Sequence, residues 1–186
     1  KLLGTATSDF KGLVTLRANG VVGPFRIEYV GNDKAEYFDE GIALSTQSET
    51  SAWVKFGPGE KISGWVLDLK KSVVVSALTN AAAEEIARSA ITPVTAAMVR
   101  SANEKVRTTF NSLFTGSGIA VEDITRAPAL AFNLESLNQF GNDAPGKYAQ
   151  MLSSLAKSAR QFNPTLPNPA REMTKQLARD LSDGVI

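Results

Sequence analysis

The hydrophobic period changes once along this chain, at the run Val73 to Ala83 (VVVSALTNAAA), from about two residues to about 3.6, and the helical period then continues to the C-terminus. A chain divided in this way belongs to the α+β class, because a parallel α/β fold would interleave strands with helices. The expected architecture is an N-terminal antiparallel β-sandwich or twisted sheet followed by a C-terminal bundle of about four helices. Residues 1–77 then form a β-rich subdomain with an N-terminal arm, and residues 78–186 a helical subdomain packed with it as one unit. With 186 residues, 43% of them hydrophobic, the chain is long enough to bury a core.

Alternation is clearest in Pro24 to Val30, where Phe25, Ile27 and Tyr29 share one face and Arg26 and Glu28 the other. That pattern predicts a half-buried antiparallel strand, with Pro24 tolerated at its start. Further strands are expected over residues 12–17, with the Asn19-Gly20 turn behind it, and over 35–38, 52–56, 62–68 and 73–75. The last two long strands are separated by Gly57-Pro58-Gly59.

In the second half, an alanine-rich helix is expected from about Thr79 to Ser89. Thr92-Pro93 reads as cap and first turn of a helix buried through Val99, Ala102, Val106, Phe110 and Leu113. Asn133 to Phe140 has the length of a short helix. Asp143 caps the next, with Tyr148, Met151, Leu152, Leu155, Ala159 and Phe162 as its stripe. Asn168-Pro169 opens a last helix along Met173, Leu177 and Leu181, ended by Gly184.

Histidine and cysteine are both absent, which removes imidazole acid/base chemistry, thiolate nucleophiles and the usual transition-metal ligands together. No G-x-S-x-G elbow or G-x-x-x-x-G-K-[ST] loop occurs. The only enzymatic route left is a pair of carboxylates assembled in space, and no pair stands out. No catalytic, cofactor-binding or metal-ligating residue is therefore assigned. Asp33, Glu36, Asp39 and Glu40 gather oxygens without the spacing of a calcium loop and read as a solvated acidic loop. Twenty basic against nineteen acidic residues give a net charge of +1 with no basic stripe, which argues against nucleic acid as a partner. No apolar run reaches the length of a membrane span, and no leader with a cleavage site is expected in this sequence.

Contact residues are more legible. Leu2, Leu3 and Phe10 are the apolar anchors of an arm suited to pair with the open edge of a neighbouring sheet, or to finish the chain's own. Trp53 lies opposite Ala52, Val54 and Phe56 on its strand. If that face is buried, Trp53 points outward and marks a ligand or subunit contact. Most of the other β-half aromatics read as core.

Gly23-Pro24-Phe25-Arg26-Ile27-Glu28, the strand Glu36-Tyr37-Phe38 and the junction Val74 to Ala82 together resemble a poorly characterised group of exported bacterial proteins and lipoproteins. In that group a strand beginning G-P-F leads through a small β-sandwich to a V-T-P-L-T segment that opens a helical region. Here Ser76-Ala77-Leu78-Thr79 stands at the T-P-L-T position. Ala102-Asn103, Tyr148 to Ala159 and the ending Ala178 to Gly184 extend the likeness. The resemblance implies an exported, surface-associated protein without an established enzymatic role, and it transfers no catalytic residue.

The expected function is that of a non-enzymatic extracellular or cell-surface structural protein, secreted by or displayed on a bacterium. It would act through copies of itself, as a filament or surface-layer subunit, or through a surface partner. The alternative is a carbohydrate-binding or adhesion module that uses exposed aromatics of the β half. No cofactor is expected.

Overall fold

The computed structural model describes residues 2–9, 11–16, 21–69, 72–165 and, near the C-terminus, 172–173, 175–176 and 179–180. The described elements are mixed α+β. Strand β1 (Phe25–Val30) is followed by β2 (Glu36–Phe38), α1 (Glu40–Thr46), α2 (Glu49–Ala52), β3 (Trp53–Lys55) and β4 (Lys61–Val66). Helices α3 (Ala77–Arg88), α4 (Ala96–Leu113), α5 (Leu134–Asn138) and α6 (Ala144–Phe162) follow.

The strands form two separate antiparallel pairs rather than the facing sheets of a sandwich. β1 pairs with β4, Phe25 opposite Val66 and Val30 opposite Lys61. β2 pairs with β3, Glu36 opposite Lys55 and Phe38 opposite Trp53. The second pair, with α1 and α2 between its strands, is an excursion from the loop that joins β1 to β4. Phe56 fastens the excursion down: it is buried, its ring lies 5.3 Å from that of Tyr29 in β1 and 6.3 Å from that of Tyr37 in β2. Gly31 permits this approach, since a Cβ there would run into the carbonyls of Phe56 and Gly57.

The main core lies among α3, α4 and α6. It is built from Leu78, Ala82 and Ile86 of α3, Val99, Val106 and Phe110 of α4, and Tyr148, Met151 and Leu155 of α6. Consecutive alanines at 81–83 are all buried, so α3 can lie close to both α4 and β4. A smaller core gathers Phe38, Ile42, Ala43, Ala52 and Leu137. The two regions are tied across residue 77, α1 packing on α6 and α3 on β4.

Several expectations are corrected. Residues 12–16 and 73–75 are not strands. The backbone of the latter is stitched to the following loop by Val74 N–H donating to the Thr125 carbonyl (3.0 Å). Helix α4 is capped by Thr95, whose hydroxyl accepts from Met98 N–H, and not by Thr92. The Thr92–Pro93 bond is cis and lies before the helix. Leu113 and Phe162 are exposed, 50% and 88%, because each sits at a helix end beyond its last neighbour. The Asp143 cap of α6 is as expected, and of its stripe Tyr148, Met151, Leu155 and Ala159 are buried and Leu152 half-buried. The residues at 172–173, 175–176 and 179–180 are helical and Met173 packs on the main core. Asn168, Pro169, Leu177, Leu181 and Gly184 lie outside the described residues.

Candidate functional site

The two edges of the β1–β4 ladder are treated very differently. In an antiparallel pair, opposed residues alternate between those that exchange hydrogen bonds with each other and those whose N–H and C=O point away. The Ser63 N–H points away from β1, because it donates to Asn80 Oδ1 of α3 at 2.8 Å. Two residues on, the Trp65 carbonyl accepts from Asn103 Nδ2 of α4 at 3.5 Å. Two of the outward groups of β4, the Ser63 N–H and the Trp65 carbonyl, are thus met by asparagines from the helical region. α3 presses against the same strand so closely that a Cβ at Gly64 would touch Thr79 at 3.0 Å.

The same alternation assigns the outward groups of β1. Ser63 is opposite Glu28 and Trp65 opposite Arg26, so the N–H and C=O of Arg26 and Glu28 face the other edge. Among the described residues no hydrogen bond outside the ladder reaches those groups. The side chains of Arg26 and Glu28 pair with each other at 2.9 Å on the solvent face, and Val30 at the strand end is 53% exposed. β1 therefore has an open edge.

The arm is the second half of this arrangement. Leu2 and Leu3 are 78% and 44% exposed, and Phe10 lies outside the described residues. The segment beyond is as apolar and as exposed: Leu13, Val14 and Leu16 stand about half in solvent, and Val22, just before β1, is almost wholly exposed. The arm's described backbone bonds are local. Asp9 N–H donates to the Leu13 carbonyl (2.9 Å), Gly12 N–H to the Asp9 carbonyl (3.0 Å), and Asp9 Oδ1 accepts from the amides of Lys11 and Leu13. Lys11 Nζ sits 5.7 Å over the Phe132 ring.

Trp53 is 37% exposed while Ala52 and Phe56 on the opposite face are buried, so the strand faces as its alternation implies. Its ring meets the buried Phe38 edge-on at 5.4 Å. Of the four acidic residues, Asp33 and Glu36 are exposed as in a solvated loop, whereas Asp39 is buried and Glu40 half-buried. Asp39 is 1% exposed and caps α1, its Oδ1 accepting from Ile42 N–H (2.9 Å) and its Oδ2 from the Tyr37 hydroxyl (3.3 Å). Burial pushes the Asp39 carboxyl up, against those hydrogen bonds and the Arg160 charge, and burial with Asp39 nearby pushes Glu40 up to about 7. Among the described residues no cluster of acidic side chains is arranged to hold a metal ion, and no helix is long and apolar enough to cross a membrane.

A groove of about 610 Å³ runs between the end of β4, α4 and residues 122–126. Arg107 pairs there with Glu104 and Arg126 with Asp123, and Asp68, Arg100 and Glu122 also line it. Within it the Thr125 hydroxyl donates to Asp123 Oδ1 at 2.6 Å. Residue patterns pointed to Leu2, Leu3 and Trp53, but not to Asn80 and Asn103, whose role depends on contacts 17 and 38 residues distant. The run of β-prone residues at Leu13 to Leu16 was legible as a strand, and among the described residues it pairs with no other strand, which makes it part of the site. Comparison with protein-family models, with curated proteins and with solved structures finds no match.

Proposed function

We propose that this chain is a non-enzymatic structural protein that works by self-association, placed outside the cell or on its surface. The observations that carry the reading are the exposed apolar residues of the β-prone arm, Leu2, Leu3, Leu13, Val14 and Leu16, and a ladder whose β1 edge is open among the described residues. A two-stranded ladder is marginal alone, and an unpaired edge is a template for another chain. A net charge of +1 offers little repulsion to hold copies apart. The extracellular placement rests on the resemblance to exported bacterial proteins. The helical region is read as a bundle of about four helices, α3, α4, α6 and the segment bearing Met173, packed with residues 1–77 as one unit.

Light scattering over a concentration series, with electron microscopy of the same samples, tests this. Ordered species that grow with concentration and disappear when residues 1–16 are deleted are expected. A monomer at every concentration, unchanged by the deletion, refutes it.

A second reading is favoured by the exposure of Trp53, a ring able to stack on a sugar face. It makes the chain a carbohydrate-binding or adhesion module. In that case Trp53→Ala abolishes retention on a glycan matrix while the fold persists; equal retention by mutant and parent removes the reading.

A further inference from the structure

We infer that the open edge of β1 is the acceptor for the Leu13–Leu16 segment of a second copy of this chain, an inference that rests on the self-association reading. The choice among edges follows from what already occupies them. β2 and β3 are three residues each, too short to hold a strand of useful length. The second edge of β4 is covered by α3, which packs on that strand, and takes side-chain hydrogen bonds from Asn80 and Asn103. β1 is six residues long and keeps the outward N–H and C=O of Arg26 and Glu28 without a partner among the described residues.

The donor fits that edge by pattern. Side chains opposite one another across a ladder share a face. Thr15, placed opposite Arg26 or Glu28, lies on their polar solvent face, and Val14 and Leu16 then fall beside Phe25, Ile27 and Tyr29 on the apolar face. A slip of one residue would reverse both assignments. One chain carries both donor and acceptor, yet among the described residues the arm's backbone bonds are the local ones around Asp9 and none reaches the outward groups of Arg26 and Glu28; that is the argument for a second copy. Donor and acceptor are different surfaces, so the contact is heterologous: it propagates head to tail into an open chain of subunits unless two copies exchange arms.

The absence of cysteine makes the contact directly readable. A Thr15→Cys chain is mixed under mild oxidation with an Arg26→Cys chain or a Glu28→Cys chain, and heterodisulfides are resolved by mass. The expected result is a yield about tenfold above that of Leu16→Cys with Glu28→Cys, whose side chains fall on opposite faces. On the unsubstituted chain, hydrogen exchange at the amides of Arg26 and Glu28 slows as concentration rises, a measurement that stands if a cysteine variant folds poorly. Oligomers without this face-selective link or protection overturn the β1 acceptor and leave self-association standing. A monomer throughout removes both. A Thr15→Cys/Glu28→Cys chain that closes on itself at high dilution shows that the arm finishes its own sheet, and overturns the inference.

Discussion

The Tyr148 hydroxyl lies 2.7 Å from Ser76 Oγ and donates to the Ile124 carbonyl at 2.8 Å, joining α6 to the start of α3 and to the loop after α4. Ser76 is also the α3 cap, its Oγ accepting from Thr79 N–H while its own N–H donates to Thr79 Oγ1. Tyr148 is 2% exposed, so Tyr148→Phe leaves a buried carbonyl and a buried hydroxyl each short of a partner. A loss of about 1–3 kcal/mol is expected in urea unfolding. Ser76→Ala loses the cap as well, about 0.5–2 kcal/mol. The double substitution costs less than the sum, because both remove the same bond; strict additivity would show that the two groups act independently.

Gly41 sets how closely α1 lies on α6. A Cβ there would collide with the Ala156 carbonyl, whereas one at Gly57 would meet only Glu60 Oε2 at 3.8 Å. Gly41→Ala is expected to destabilise by about 1–3 kcal/mol through overpacking, and Gly57→Ala to stay within about 0.5 kcal/mol. The tryptophans report the two cores separately, Trp53 against Phe38 and Trp65 against the main cluster. In Gly41→Ala carrying one tryptophan at a time, the Trp53 fluorescence transition should precede that of Trp65. Coincident transitions with unchanged midpoints would show that α1 is not held by this contact.

Glu40 makes stability depend on pH. Burial, the largest influence, lifts its carboxyl from an ordinary 4.5 to about 7. Below about pH 4.5 the group is neutral in both folded and unfolded chains and carries no penalty. As pH rises toward 7 the unfolded chain ionises first and stability falls; above 7 the loss is complete. The residue is half-buried, so a loss of about 2 kcal/mol is expected after allowance for solvent screening. Asp39, also raised by burial, adds a slope of the same sign. Glu40→Gln should match the parent at pH 4, exceed it at pH 8 and flatten the profile between. A parent profile that is already flat from pH 4 to 8 would show that the carboxyl is well solvated.

Local periodicity made much of this legible. The alternation in Phe25 to Tyr29 placed both faces of β1, and the Asp143 cap with its stripe placed α6. What failed were features settled by a distant partner. Leu13 to Leu16 and Val73 to Val75 have strand composition, but a strand exists only where a second backbone meets it. Among the described residues the first pairs with no strand, and in the second Val74 N–H donates to the Thr125 carbonyl. Thr92 stands before a proline as a cap would, yet the helix starts later and Thr95 caps it. Asp39 sits in an acidic run that suggests solvent, yet the Ala52 carbonyl accepts its N–H at 2.8 Å and Tyr37 covers its carboxylate, which needs β2, α1 and α2 in place. The covered edge of β4 has no periodic signature, because it depends on the packing of α3 and on single side-chain amides of α3 and α4.

Asn80 is therefore the residue whose removal should most change how the chain associates. It is 3% exposed and its Oδ1 takes up the Ser63 N–H, which is itself buried. Asn80→Ala leaves that N–H without a partner, and a loss of about 1–3 kcal/mol is expected. The Ser63 amide, protected in the parent, should exchange much faster than its neighbours in β4. The substitution also uncovers part of a second edge, so association should lose its single direction: electron microscopy should show irregular clusters in place of ordered species, and residues 1–16 should no longer be required for them. A Ser63 amide that stays protected in Asn80→Ala, with the assembly unchanged, would mean that the packing of α3 alone closes this edge.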